Sequence, residues 1–287
     1  MRSVWLAVAG ATAAATVGVS RRWLREQRGK RADRLAVMPS HHGLDSETVT
    51  LEAVDGTPLH AWFVAAAPGA PVVVLVHGYG SHGGDLLGVA KQLQDGGLAT
   101  LLLDVRGHGR SPWNQRPSPE VFSEDLGAAI DWAVTHSGGS PVALLGHSMG
   151  GSAAIRAAAS RSGIGALVTV AAVADPTLTN MGWWPASFNR TMIERVAKRQ
   201  GADPSRHFAR HLIGDVTAPI LLVHGEADRL IPIRHGEVLA QAAPDATFVR
   251  VAGAGHADLA AFSSAILTVV AFLQAALGAP GAVGLRQ

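Results

Sequence analysis

The serine with the clearest chemical setting is Ser148, in Gly146-His147-Ser148-Met149-Gly150-Gly151. Glycines two residues before and two after it permit a sharp turn that lifts the hydroxyl out of a strand end, where a base can reach it. A serine hydroxyl is a weak nucleophile at neutral pH, so the chemistry requires a base and a group that orients the base. Both stand downstream: Asp228 in His224-Gly225-Glu226-Ala227-Asp228, and His256 in Gly253-Ala254-Gly255-His256. Asp228 would accept a hydrogen bond from one imidazole nitrogen and fix the tautomer in which the other takes the Ser148 proton. Glu226 and Asp258 compete for the acid role. Acyl transfer also needs donors aimed at the developing oxyanion, each worth roughly 3 kcal/mol of barrier where one has been removed. The backbone amides of Met149, after the nucleophile, and of Tyr79, in His77-Gly78-Tyr79-Gly80, are the candidates. The side chains of His77, His108 and His147 read as structural hydrogen-bond partners.

With 33 glycines and 18 serines in 287 residues, the five-residue pattern around Ser148 arises by chance about 0.2 times per chain. Its strand-to-helix setting is therefore what gives it meaning. The apolar runs Pro71–Val76, Ala99–Leu103, Val142–Leu145, Ala166–Val173 and Pro219–Val223 predict strands buried on both faces, and Thr247–Val251 a further strand. Asp85–Gln94, Glu120–His136, Met149–Ser162, His235–Ala243 and Asp258–Leu277 carry apolar residues at helical spacing between or after them. Ahead of these, Glu47–Val54, the Asp55-Gly56 turn and Pro58–Ala66 predict an antiparallel hairpin. The alternation implies an α/β fold, a mostly parallel sheet with helices on both faces and its site at the carboxyl ends of the strands. The interval 174–216 breaks the rhythm and reads as an inserted cap, in which Trp183, Trp184 and Phe188 would suit an apolar acyl or alkyl group. The organisation is thus an amino-terminal segment over 1–34, a linker over 35–46, a catalytic domain over 47–278 and a tail over 279–287.

Composition excludes several alternatives. The 48% hydrophobic content supports a packed core, and the absence of cysteine excludes disulfide scaffolds, zinc ribbons and thiol nucleophiles. Net charge is only +2, with seven bases crowded between Arg21 and Arg34, which is not the distributed basic surface of a nucleic-acid binder. Val4–Val19 carries no charge and precedes that basic run, predicting a short membrane anchor with the domain on the cytoplasmic side; an exported or a soluble cytoplasmic form is the alternative. No cofactor and no metal are expected. The sequence does not reveal an oligomeric state.

The ordered motifs resemble those of the α/β-hydrolase superfamily, in its serine-nucleophile, monoacylglycerol-lipase-like and small-esterase branches. The resemblance covers Glu47 to Leu277. His77-Gly78-Tyr79-Gly80 is similar to the family's oxyanion strand end, Asp104 to Ser111 to its glycine-rich loop, and Gly146 to Gly150 to its nucleophile elbow; Asp228 and His256 match the acid and base. The resemblance implies an eight-stranded sheet with an antiparallel second strand and a cap between the sixth and seventh strands. It also implies acyl transfer to water from a small-molecule ester, with lipid-derived esters among the candidates, since relatives that open epoxides or displace halide place aspartate at the elbow. An acyl-thioesterase or a cofactor-free perhydrolase would use the same triad, and a non-catalytic binding protein on this fold is a further alternative.

Overall fold

The computed structural model describes residues 36–114, 118–178, 208–256 and 263–279. Eight strands form one sheet in the order β1-β2-β4-β3-β5-β6-β7-β8. They are β1 (Glu47–Glu52), β2 (Pro58–Val64), β3 (Val72–Val76), β4 (Ala99–Leu103), β5 (Val142–His147), β6 (Ile164–Val170), β7 (Ile220–Gly225) and β8 (Thr247–Val251). The predicted hairpin is present: β1 pairs antiparallel with β2, with Asp55 and Gly56 in the turn. β2 pairs antiparallel with β4, and every later pairing is parallel. The sheet is therefore the one the resemblance implies.

Burial explains why the central strands were legible. All five residues of β3, all five of β4, and all six of β5 and of β7 are buried, because helices cover both faces and leave no polar alternation. Each such Val or Leu contributes roughly 1.5–3 kcal/mol by leaving water. β6 ends at Val170, earlier than its apolar run suggests. The chain turns at Ala171, a non-glycine residue with φ of 50°, although the Ala171 amide still donates to the Val223 carbonyl of β7 at 2.9 Å.

The helices are α1 (Leu87–Asp95), α2 (Pro119–His136), α3 (Met149–Ser160), α4 (Ala209–Leu212), α5 (Arg234–Ala242) and α6 (Ser263–Leu277). α2 starts on a Ser118 N-cap, whose hydroxyl accepts from the Val121 amide at 3.3 Å, with Pro119 in the first turn. The stretch Gly83–Leu86 is a 3-10 turn ahead of α1, capped by the His82 side chain. Within the segment read as a linker, Pro39–His42 forms another 3-10 turn and Leu44 is buried.

Between β6 and β7 the chain is clasped where it leaves the sheet and where it returns. The Arg210 amide donates to the Ala174 carbonyl at 3.1 Å, and the Arg210 guanidinium pairs with Asp175 at 3.1 Å. The Ala174 amide in turn donates to Nδ1 of His235, a fully buried residue at the start of α5, at 3.1 Å. Residues 1–35 and 179–207 lie outside the described residues, and with them the predicted anchor and Trp183, Trp184 and Phe188. Among the described residues, no helix is long and apolar enough to cross a membrane.

Candidate active site

Ser148 sits between β5 and α3 with φ of 55° and ψ of −118°. This is a strained conformation for a side-chain-bearing residue, held by its surroundings. The Ser148 amide donates to the Val170 carbonyl at 2.9 Å. The flanking glycines are required by close packing: a Cβ on Gly150 would overlap the backbone of Val76 and His77, and one on Gly146 the backbone of Gly150 and Gly151. α3 is thus drawn down onto β3, and its first residue, Met149, carries one of the amides left without an intrahelical acceptor.

Three predicted residues meet at this end of the sheet. Ser148 Oγ donates to His256 Nε2 at 3.0 Å, and His256 Nδ1 donates to Asp228 Oδ2 at 2.8 Å. A carboxylate only accepts, so Nδ1 carries the proton and Nε2 is left bare toward the serine. Asp228 lies just beyond β7 and is buried. Its other oxygen accepts from the amides of Leu230 and Ile231 at 2.9 and 2.8 Å. Burial opposes its ionisation, but the bonds from His256 and Ile231 outweigh burial, and the carboxyl is held below the ordinary range. His224, on β7, donates from Nε2 to the Ile231 carbonyl at 2.8 Å and so braces the same loop. Of the competing carboxylates, Glu226 is exposed, and Asp258 lies outside the described residues.

The turn after β3 carries the second predicted amide. The Ser81 amide donates to the Gly78 carbonyl at 3.2 Å, closing a four-residue turn with Tyr79 second and Gly80 third. Gly80 has φ of 74°, the left-handed position that glycine fills at the third place of such turns. The turn abuts Ser148: a Cβ on Gly78 would stand 3.0 Å from Ser148 Cβ. Two histidines hold it from behind. His77 donates from Nδ1 to the Gly78 carbonyl at 2.8 Å and accepts the Val105 amide at Nε2 at 3.1 Å. His108 accepts the Gly80 amide at Nε2 at 3.0 Å and donates from Nδ1 to the Arg106 carbonyl at 3.2 Å. His77 is fully buried, and burial pushes its pKa down, so it stays neutral in this bracing role.

Three features of the site escape local sequence reasoning. The contact of Gly78 with Ser148 joins residues seventy positions apart and leaves no periodic trace. His147 Nε2 donates to the His256 carbonyl at 3.0 Å across 109 residues. The loop after β4 is pinned by Arg106, which pairs with fully buried Asp125 of α2 at 2.6 Å and with Asp55 at 2.7 Å. The charged Asp-x-Arg pattern after an apolar strand was the available signal for this last feature.

Comparison with known proteins agrees with this architecture. A family model described as serine aminopeptidase, S33, matches residues 68–211, and one described as TAP-like protein matches residues 185–278. The chain is 32% identical over 202 residues to the human protein ABHD12B, covering 64% of this chain and 53% of that protein, so the match spans about half of the human relative's length. It is 31% identical over 206 residues to a monoacylglycerol lipase of Mycolicibacterium smegmatis, covering 58% of this chain and 74% of the lipase. Among solved structures, an esterase of Pyrococcus furiosus superposes with a TM-score of 0.65 at 18% identity, covering 84% of this chain and 96% of that one. With the sheet order, the elbow and these matches together, the chain belongs to the α/β-hydrolase superfamily.

Proposed function

We propose that the protein is a serine hydrolase that cleaves carboxylic esters through an acyl-enzyme. The observation that carries this reading is the unbroken relay from Asp228 through His256 to Ser148, at 2.8 and 3.0 Å. Ser148 Oγ attacks the ester carbonyl carbon while its proton passes to His256 Nε2, and the imidazolium is stabilised by the Asp228 carboxylate. The oxyanion formed is received by the amides of Tyr79 and Met149. Collapse of the tetrahedral intermediate breaks the bond to the alcohol, which leaves with the proton from His256 Nε2. A water then gives its proton to the same nitrogen and attacks the acyl carbonyl, and Ser148 recovers its proton as the carboxylic acid departs.

The lipase and esterase activities named for the relatives support small-molecule esters as the substrate class, lipid-derived ones included. Wild-type protein should hydrolyse short p-nitrophenyl esters and take up a fluorophosphonate at Ser148. Ser148→Ala should abolish both, and activity retained in that variant would eliminate the mechanism. Parallel assays on thioesters and on an aminoacyl p-nitroanilide separate the ester reading from thioesterase and peptidase activity. In the same reading residues 4–19 hold the full chain at a bilayer, which flotation with lipid vesicles tests.

A further inference from the structure

The acid and the base are tied to each other far more firmly than to the nucleophile. The Ala227 amide donates to the Ala254 carbonyl and the Glu226 amide to the Val251 carbonyl, both at 3.0 Å. With the His256–Asp228 bond, these join the loops after β7 and β8 into one unit. Among the described residues, only two hydrogen bonds connect residues 251–256 to the elbow at 146–151: the Ser148–His256 bond itself, and the bond from His147 Nε2 to the His256 carbonyl at 3.0 Å. The first is broken and remade in every turnover, because its proton moves. The second lies on the backbone of the base and is untouched by the chemistry.

We propose that His147 is a positioning residue, which registers the Asp228–His256 unit on the nucleophile strand by donating from Nε2 to the His256 carbonyl. The proposal rests on the triad reading above and adds a residue to it. His147 is suited to the task by its surroundings. It is the last residue of β5, so its backbone is fixed by the sheet. Its ring is buried and stands 5.0 Å from that of His256, centre to centre. On another side it lines an apolar cavity of about 20 Å³ with Leu145, Val170, Val223 and Val269. Burial above all, and then the neighbouring His256, push its pKa down to about 4. A carbonyl only accepts, so the neutral ring carries its proton on Nε2. A neutral donor fixes the base without placing a second positive charge beside the imidazolium that forms during catalysis.

The test compares side chains that keep or lose a donor at the Nε2 position in the full chain. Gln places its amide nitrogen near Nε2, Asn reaches only as far as Nδ1, and Leu offers no donor. His147→Gln is expected to keep kcat within about threefold of wild type. His147→Asn and His147→Leu are expected to lose roughly tenfold to a hundredfold in kcat, with KM within about twofold, because a misplaced base impairs the chemical step and not binding. Rates are normalised to fluorophosphonate-titratable sites, and thermal melts report folding. Should His147→Leu fail to fold, the Gln and Asn pair decides the question alone. Wild-type kcat in the Asn variant, or a Gln variant that is as impaired as Asn or fails to fold, overturns the proposal. Ser148→Ala separates the two levels: activity in that variant refutes the triad, whereas an inactive Ser148→Ala beside an unimpaired His147→Asn refutes only the positioning role.

Discussion

Gly78→Ala offers a sharp test of how tightly the turn after β3 must fit Ser148, the proposed nucleophile. The backbone at Gly78 is not in the left-handed region, so alanine can adopt it, and the added methyl would meet Ser148 Cβ at 3.0 Å, His147 Nδ1 at 3.3 Å and the His147 carbonyl oxygen at 3.4 Å. Ordinary contacts of this kind begin at about 3.4 Å, so one side must retreat by roughly half an ångström. Ser148 cannot be that side, because its strained backbone is anchored to Val170 and its helix rests on β3. The turn therefore withdraws, carrying the Tyr79 amide with it. If a misplacement of about 1 Å costs a hundredfold, half that distance costs roughly tenfold in kcat, or about 1.4 kcal/mol of transition-state stabilisation. Global stability should change by less than about 1 kcal/mol, since alanine also reduces the entropy of the unfolded chain. Steady-state hydrolysis of a p-nitrophenyl ester gives kcat and KM, and urea melts give stability. Gly88→Ala, in α1 with open space around its Cβ, serves as the control and should leave kcat unchanged. Wild-type kcat in folded Gly78→Ala protein would refute the inference that this turn supplies an oxyanion donor.

Further outcomes follow from other bonds of the structure. Asp228→Asn replaces an acceptor with an amide that can hold His256 in the wrong tautomer, and kcat for ester hydrolysis should fall by about 10⁴ with thermal stability largely kept. Asp125→Ala strips the buried Arg106 of its closest carboxylate at 2.6 Å and should destabilise the protein by about 3 kcal/mol or more in urea melts. Asp104 accepts from His60 and from the amides of Gly83 and Arg110, and although burial opposes its ionisation its pKa is lowered from 3.8 to about 2. Its contribution of about 2 kcal/mol is therefore complete above pH 4 and lost as the pH falls through 2. Asp104→Asn should flatten the stability of the protein between pH 4 and pH 2 relative to wild type.

The parts of this molecule that local chemistry determines were legible in its residues. β4 has the bounds that its apolar run predicts, because burial on both faces writes itself into every position of a short run; β8 also has its predicted bounds, although only Val251 in it is buried. Ser148, Asp228 and His256 each follow a strand, as their sequence positions predict, and their side chains meet at one end of the sheet. The contacts that tune the site were not legible. The bond from His147 to His256 and the approach of Gly78 to Ser148 each join elements far apart in the chain, and nothing in a neighbouring residue announces them; for the Arg106–Asp125 pair the Asp-x-Arg pattern marks the loop but not the partner. β6 ended early for a similar reason: Val170 to Val173 is apolar throughout, and only the positive φ at Ala171, imposed by its surroundings, shows where the strand stops.

The clasp at Ala174, Asp175 and Arg210 has a bearing on how this enzyme fold diversifies. Parallel pairing of Leu167 with Ile220 resumes the sheet after the excursion whatever the excursion contains, and both Asp228 and His256 come later in the chain. The backbone at Ala174 and the backbone at Arg210 lie a single hydrogen bond apart. A donor segment grafted between those positions is therefore expected to leave the loops that carry Asp228 and His256 in register.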